Sequence, residues 1–124
     1  MDHLKAFKAL LVDAGITTPI KMGKQPDDPS TVITLIDTGG LQPSDELTVV
    51  HQPTIQVLIR AEDYDTARGL AQDVRAAAHG KIAVEFEDVH FMVISLLAEP
   101  GSIGQDEKGR DEFSANFACR TRAA

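Results

Sequence analysis

Residues 53–80, Pro-Thr-Ile-Gln-Val-Leu-Ile-Arg-Ala-Glu-Asp-Tyr followed by an alanine-rich segment to Gly80, constrain the fold most, because their hydrophobic period changes abruptly. Ile55, Val57, Ile59 and Ala61 alternate with Thr54, Gln56, Leu58 and Arg60, the period of two of a strand with one buried face. After Asp63, residues Tyr64, Ala67, Leu70, Ala71, Val74 and Ala78 recur at helical spacing. Asp63 is placed as an N-cap, and Gly80 can take the left-handed conformation that closes a helix. A strand and a helix with one apolar face each, joined by Glu62 and Asp63, predict a helix folded back over a sheet.

The flanking segments supply the rest of that sheet. Residues 2–14 set Leu4, Phe7, Leu10, Leu11 and Ala14 on one helix face, which Gly15 closes. Ile20 and Met22 alternate with Lys21 and Gly23, and Pro19 limits pairing, so a short strand near an edge is expected. Residues 25–30, Gln-Pro-Asp-Asp-Pro-Ser, have turn composition, and 31–37 are β-branched and read as a strand. Residues 38–52 carry Gly39, Gly40, Pro43, Ser44 and Asp45 without a sustained period and predict a long loop. Strands are expected over 81–87, 89–98 and 112–122, the last with Phe113, Ala115, Phe117 and Cys119 on one face. Pro100, Gly101, Gly104 and Gly109 mark 99–111 as a second loop. The expected fold is α+β, a single domain over 1–124. It is a two-layer sandwich, with two helices packed on one face of a mainly antiparallel or mixed sheet of about five to six strands.

A chain of 124 residues can bury a sufficient core without metal or disulfide support. The first residues lack the pattern of a signal peptide and no apolar run approaches a bilayer's thickness, so a soluble protein made in a cytoplasm is expected. Twelve basic against 19 acidic residues, a formal charge of −7, count against a chain that grips nucleic acid through phosphates. Arg120 and Arg122 form the one local basic pair and read as a solvated strand edge. Cys119 has no partner cysteine and reads as a small core residue. His3, His51, His79 and His90 lack metal-ligand spacing, and His79 reads as a favourable charge at a helix C-terminus. Asp27 with Asp28, and Asp106 with Glu107, are turn acids, and Gly39-Gly40 reads as a tight turn after a strand because neither lysine nor helix follows at phosphate-loop distance. No nucleophile elbow is present, so no catalytic, cofactor-binding or metal residue is assigned and an enzyme is not expected.

Two blocks remain that folding alone does not explain: Gly39-Gly40 with residues 53–67, and residues 99–117, Glu-Pro-Gly-Ser-Ile-Gly-Gln-Asp-Glu-Lys-Gly-Arg-Asp-Glu-Phe-Ser-Ala-Asn-Phe. In order and length they resemble the tail terminator, or tail-completion, proteins of long-tailed bacteriophages. That family is also labelled minor capsid proteins and occurs in prophages and gene transfer agents. There, a strand ending in arginine leads into a tyrosine-bearing helix start, and a proline-glycine loop with an aspartate and an arginine leads into a final strand. The resemblance implies a structural virion protein, made in the bacterial host cytoplasm and then part of the virion tail. Such a subunit forms a ring, usually hexameric, that caps the head-proximal end of the tail tube, ends tube elongation and offers a surface for head-tail joining. The implied partners are other copies of the chain, the tail tube protein and a head connector or neck protein, with DNA passing through the channel without specific binding and no membrane or cofactor. Six copies at −7 each give −42, so acidic groups lining the channel would repel passing DNA. Arg60 and Arg110 are the expected contact residues, with Gln105, Asp106 and Glu107 beside them, since arginine pairs well with carboxylates across interfaces; exposed solubilising charge is their alternative reading. Residues 38–52 and 102–110 are expected to be mobile until the ring or tube orders them. A head-closure or neck role in the same particle, or a small-molecule-binding regulatory domain, are the other readings.

Overall fold

The computed structural model describes residues 2–41 and 49–124. Asp2 caps the first helix, α1 (His3–Asp13), by accepting from the Lys5 amide at 3.0 Å, and Ala6, Phe7, Leu10 and Leu11 form its buried stripe. Helix α2 (Tyr64–Ala78) begins the same way, with the Asp63 carboxylate accepting from the Thr66 amide at 2.8 Å. It ends at Gly80, whose φ of 79° is the expected left-handed turn.

Six strands follow the chain: β1 (Ile20–Met22), β2 (Val32–Leu41), β3 (Gln52–Ala61), β4 (Ile82–Phe86), β5 (Val89–Gln105) and β6 (Asp111–Ala123). They form one sheet in the order β1-β2-β3-β6-β5-β4, antiparallel throughout except for the parallel β1–β2 pair. The strand of the opening segment, β3, is therefore central, and β1 is the short edge its proline implied.

Alternation places Ile55, Val57 and Ile59 of β3 beside Phe113, Ala115 and Phe117 of β6, all buried under the helices. Phe7 of α1 meets Phe117 with ring centroids 5.3 Å apart, and Ala67, Ala71 and Ala78 let α2 lie close to the sheet. Helix α1 touches both β2 and β4, strands near opposite rims, so the sheet curls around the helices as a half-barrel. The α+β class and the mixed sheet hold. Cys119 is a core residue as expected, and burial pushes its thiol up to about 12.

Both loops differ from expectation. Strand β2 continues through Gly39 and Gly40 to Leu41, and β3 starts at Gln52, so the described ends of the 38–52 loop are strand; residues 42–48 lie outside the described residues. A bulge between Asp37 and Gly40 lets the ladder pass the glycines, and these erase the alternation that would have marked a strand. Strand β5 likewise runs through Pro100 to Gln105, and the turn is confined to the residues between Gln105 and Asp111. The 102–110 segment, expected to be mobile, is thus half strand and is tied to β6. Register shifts at Ala98, Gly101 and Gly104 accommodate the glycines, and the missing amide of Pro100 is tolerated because β5 beyond its pairing with β4 is a free edge of the sheet. Arg120 and Arg122 do not lie on a sheet edge, because β6 is flanked by β3 and β5. The His79 ring, at the C-terminal end of α2, accepts the Leu96 amide at Nδ1 (3.1 Å) and ties that end to β5.

The end of β6 is tied to α1 by histidine. His3 Nε2 lies 2.8 Å from Thr121 Oγ1, and His51 exchanges two backbone hydrogen bonds with Thr121. Burial first, then the neighbouring His51, holds the His3 imidazole below its ordinary value of 6.5. Asp37 and Asp2 oppose the shift. For an imidazole depressed by folding, the unfolded chain binds the extra proton, so the contribution is complete above pH 6.5 and falls as pH drops toward the folded pKa. Asp27, Asp63, Glu99 and Asp106 are all depressed carboxylates and stay ionised through that window. Urea melts between pH 7.5 and 5.5 are expected to show stability declining by at most about 1.4 kcal/mol per pH unit from this group, with a shallower decline in His3→Gln. Equal slopes in both proteins would contradict the assignment.

Candidate functional site

The expected contact residues converge at one end of the sheet, on the face turned away from the helices. Arg60 points outward from β3 by the alternation that buries Ile59 inward, and Glu112 is its partner on β6. Residues 25–30 fold over this end. Thr34 is fully buried, its hydroxyl donating to Gln25 Oε1, and Gln25 Nε2 donates to Glu112 Oε2 at 2.9 Å.

Arg60 is 3% exposed. Its Nε donates to the Ser30 carbonyl at 3.0 Å, and one terminal nitrogen donates to the carbonyls of Pro29 at 2.7 Å and Asp27 at 3.2 Å. Arg110 is buried beside it and donates to the same Asp27 carbonyl at 2.7 Å. Its remaining nitrogens reach Asp27 Oδ1 at 3.1 Å and Asp106 Oδ2 at 2.7 and 2.8 Å. Asp106 also accepts the Arg110 amide at 2.9 Å and the Lys108 amide at 3.0 Å, which closes the β5–β6 turn.

The two arginines therefore share one carbonyl and clamp two turns that are about 80 residues apart in sequence. Hydrogen bonding from Lys108, then Arg110, holds the Asp27 carboxyl below the usual range, and hydrogen bonding from Arg110 does the same for Asp106. The Asp27–Lys108 pair, at 2.6 Å, is solvated on both sides and adds little stability.

All five expected residues fall in or beside this cluster, but not in one role. Arg60 and Arg110 are internal braces, so the reading of either as exposed solubilising charge is corrected: both are buried, and their guanidinium nitrogens are engaged by the carbonyls of Asp27, Pro29 and Ser30 and the carboxylates of Asp27 and Asp106. Asp106 is half-buried and spent on Arg110, whereas Gln105 and Glu107 are exposed at the tip. Gln25, Thr34 and Glu112 were not singled out from sequence, and Asp27 was read there as a turn acid alone, since the turn composition of 25–30 gave no sign of what the turn would cover.

Among the described residues, no buried side-chain nitrogen or oxygen lacks a partner, and no three histidine, cysteine or acidic side chains group as metal ligands. The cluster's polar groups are mutually satisfied, which makes it a brace that shapes an exposed tip. None of the helices among the described residues is long and apolar enough to cross a membrane.

The family model described as "Bacteriophage tail terminator protein" matches residues 10–122. No curated protein matches the chain in sequence. Among solved structures, a chain of the "Virion of native gene transfer agent (GTA) particle" has a similar fold, with a TM-score of 0.61 and 17% identity over 93% of this chain and 86% of that one.

Proposed function

Since the chain belongs to the bacteriophage tail terminator family, matched over residues 10–122, we propose that it is a structural virion protein that caps the head-proximal end of a tail tube as a ring. The ring, a hexamer in this reading, ends tube elongation and offers the surface to which a head connector or neck protein joins. The family match carries the proposal, and the braced turn between β5 and β6 supports it. A turn held by Arg110 and Asp106 presents Gln105 and Glu107 in a fixed shape, and preorganised contacts lose less entropy on docking. Arg60 and Arg110 act in this reading from beneath the contact surface, by holding it. DNA crosses the channel without specific binding, as the charge of −7 per copy favours.

The test is tube length. In a host producing the particle without this chain, tubes are expected to overgrow to a broad length distribution in electron micrographs, and restoring the chain is expected to return one length with a ring at one end. A distribution unaffected by the chain overturns the proposal.

A further inference from the structure

The junction between α2 and β4 is stitched to β5 in a short series. The Gly80 amide donates to the Ile94 carbonyl at 2.9 Å, and the Ile94 amide donates back to the Lys81 carbonyl at 3.0 Å. Every second amide of an antiparallel strand faces the same neighbour, so the Leu96 amide is the next donor along this edge. A side chain meets it in place of a backbone carbonyl: His79 Nδ1, 3.1 Å away. Further along, Arg75 of α2 holds Glu99 of β5 through two hydrogen bonds of 2.7 and 2.8 Å. The imidazole thus adds one rung to the β4–β5 ladder, ahead of the first residue of β4.

A backbone amide only donates, so this rung fixes the state of the ring: Nδ1 carries a lone pair and the proton sits on Nε2. An imidazolium donates from both nitrogens and offers Leu96 no acceptor. We propose that His79 is a proton-operated latch on the edge of β5, whose neutral ring holds Leu96 and whose protonated ring releases it and turns to Glu99. The charged groups around the ring come from three elements. On β5, Glu99 is held below the usual carboxylate range by hydrogen bonding from Arg75 first and, in smaller part, by the charge of His79, so it is ionised and within reach of the ring's field. The carbonyl end of α2 also favours a cation at this position, whereas Arg75, on the preceding turn, opposes one. Lys81, leading into β4, is exposed and adds a screened repulsion. Glu99 and the helix end reward only the protonated ring, and Leu96 rewards only the neutral one, so the two states differ in their contacts as a switch requires. The released amide lies beside Leu97, 60% exposed, where β5 passes beyond β4 on its way to the braced turn. Acid therefore opens the outer edge of this strand while its pairing with β6 stays in place.

Amide hydrogen exchange of the full chain, read by NMR and corrected for the intrinsic effect of pH on exchange, tests the latch. Protection of the Leu96 amide is expected to fall at least about fivefold between pH 7.5 and 5.5, while that of Ile94, bonded to a backbone carbonyl, holds. His79→Asn sets an amide oxygen near the position of Nδ1 without a titrating proton, and is expected to keep Leu96 protected at both pH values. His79→Ala is expected to leave Leu96 unprotected at both. His79 is exposed, so these substitutions leave the core intact. Glu99→Gln removes the carboxylate that receives the protonated ring and is expected to move the release of Leu96 to lower pH. Ring nitrogen shifts are expected to show the Nε2–H tautomer at pH 7.5. Leu96 protection that ignores pH in the wild type, a fall of the same size in His79→Asn, a parallel fall at Ile94, release at an unchanged pH in Glu99→Gln, or an Nδ1–H tautomer each overturn the proposal.

Discussion

Arg60→Ala is expected to destabilise the subunit by about 3 kcal/mol, with a fall in melting temperature on the order of 10 °C. The side chain is 3% exposed and serves three carbonyl acceptors, those of Asp27, Pro29 and Ser30. Truncation leaves these acceptors covered and unpaired, opens a void beneath residues 25–30, and removes the cation beside Glu112. Arg60→Lys is expected to recover less than half of the loss, since one ammonium cannot span acceptors that the planar guanidinium meets along two directions. Because Arg110 holds the same Asp27 carbonyl, Arg60→Ala and Arg110→Ala are expected to be non-additive in urea melts. A loss below about 1 kcal/mol for Arg60→Ala would show that water replaces the guanidinium, and would remove the brace from the account of the contact turn.

Gly40→Val is expected to cost at least about 3 kcal/mol by a different mechanism. Gly40 has a φ of 123°, and a Cβ there would lie 2.7 Å from Pro53 Cα and 2.9 Å from Thr54 N, against the Gln52 carbonyl oxygen as well. These are backbone atoms of the neighbouring strand and cannot swing away, so the β2–β3 ladder must separate beyond the bulge. Gly39, next to it, has a φ of 87° but open space around its Cβ position. Gly39→Asn is therefore expected to cost no more than about 1 kcal/mol, since asparagine tolerates left-handed backbone. Similar losses at the two positions, measured by chemical denaturation, would mean that backbone conformation and not the close approach of the strands governs this end of the sheet.

What could be read in advance depended on whether a residue's neighbours were local. Ile55, Val57 and Ile59 announced β3, and Ala67, Ala71 and Val74 announced α2, because burial of one face imposes its own period on the chain. Asp63 announced a helix start, because a cap bonds an amide three residues away. The extension of β5 through Pro100, Gly101 and Gly104 was hidden. This part of β5 extends beyond β4 and is largely exposed, so it needs no alternation, and its backbone pairing with β6 leaves no mark on composition. The cluster was half legible: Arg60, Arg110 and Asp106 were named from sequence, but Gln25, Thr34 and Glu112 and the burial of the two arginines were not, since these depend on the distant 25–30 turn.

By itself the sequence determined the elements, their buried faces and the family resemblance, all of which rest on contacts within a few residues or on order along the chain. The tertiary structure decided the strand order, the curl of the sheet around α1, and the use of two arginines as internal braces. Those depend on which distant backbone carbonyls and strand edges meet, and one-dimensional pattern carries no record of such meetings. The segment from Pro53 to Gly80 shows the division within one stretch: its periods predicted the strand and helix, whereas the fate of Arg60 at the strand's end was settled by a turn about 30 residues earlier.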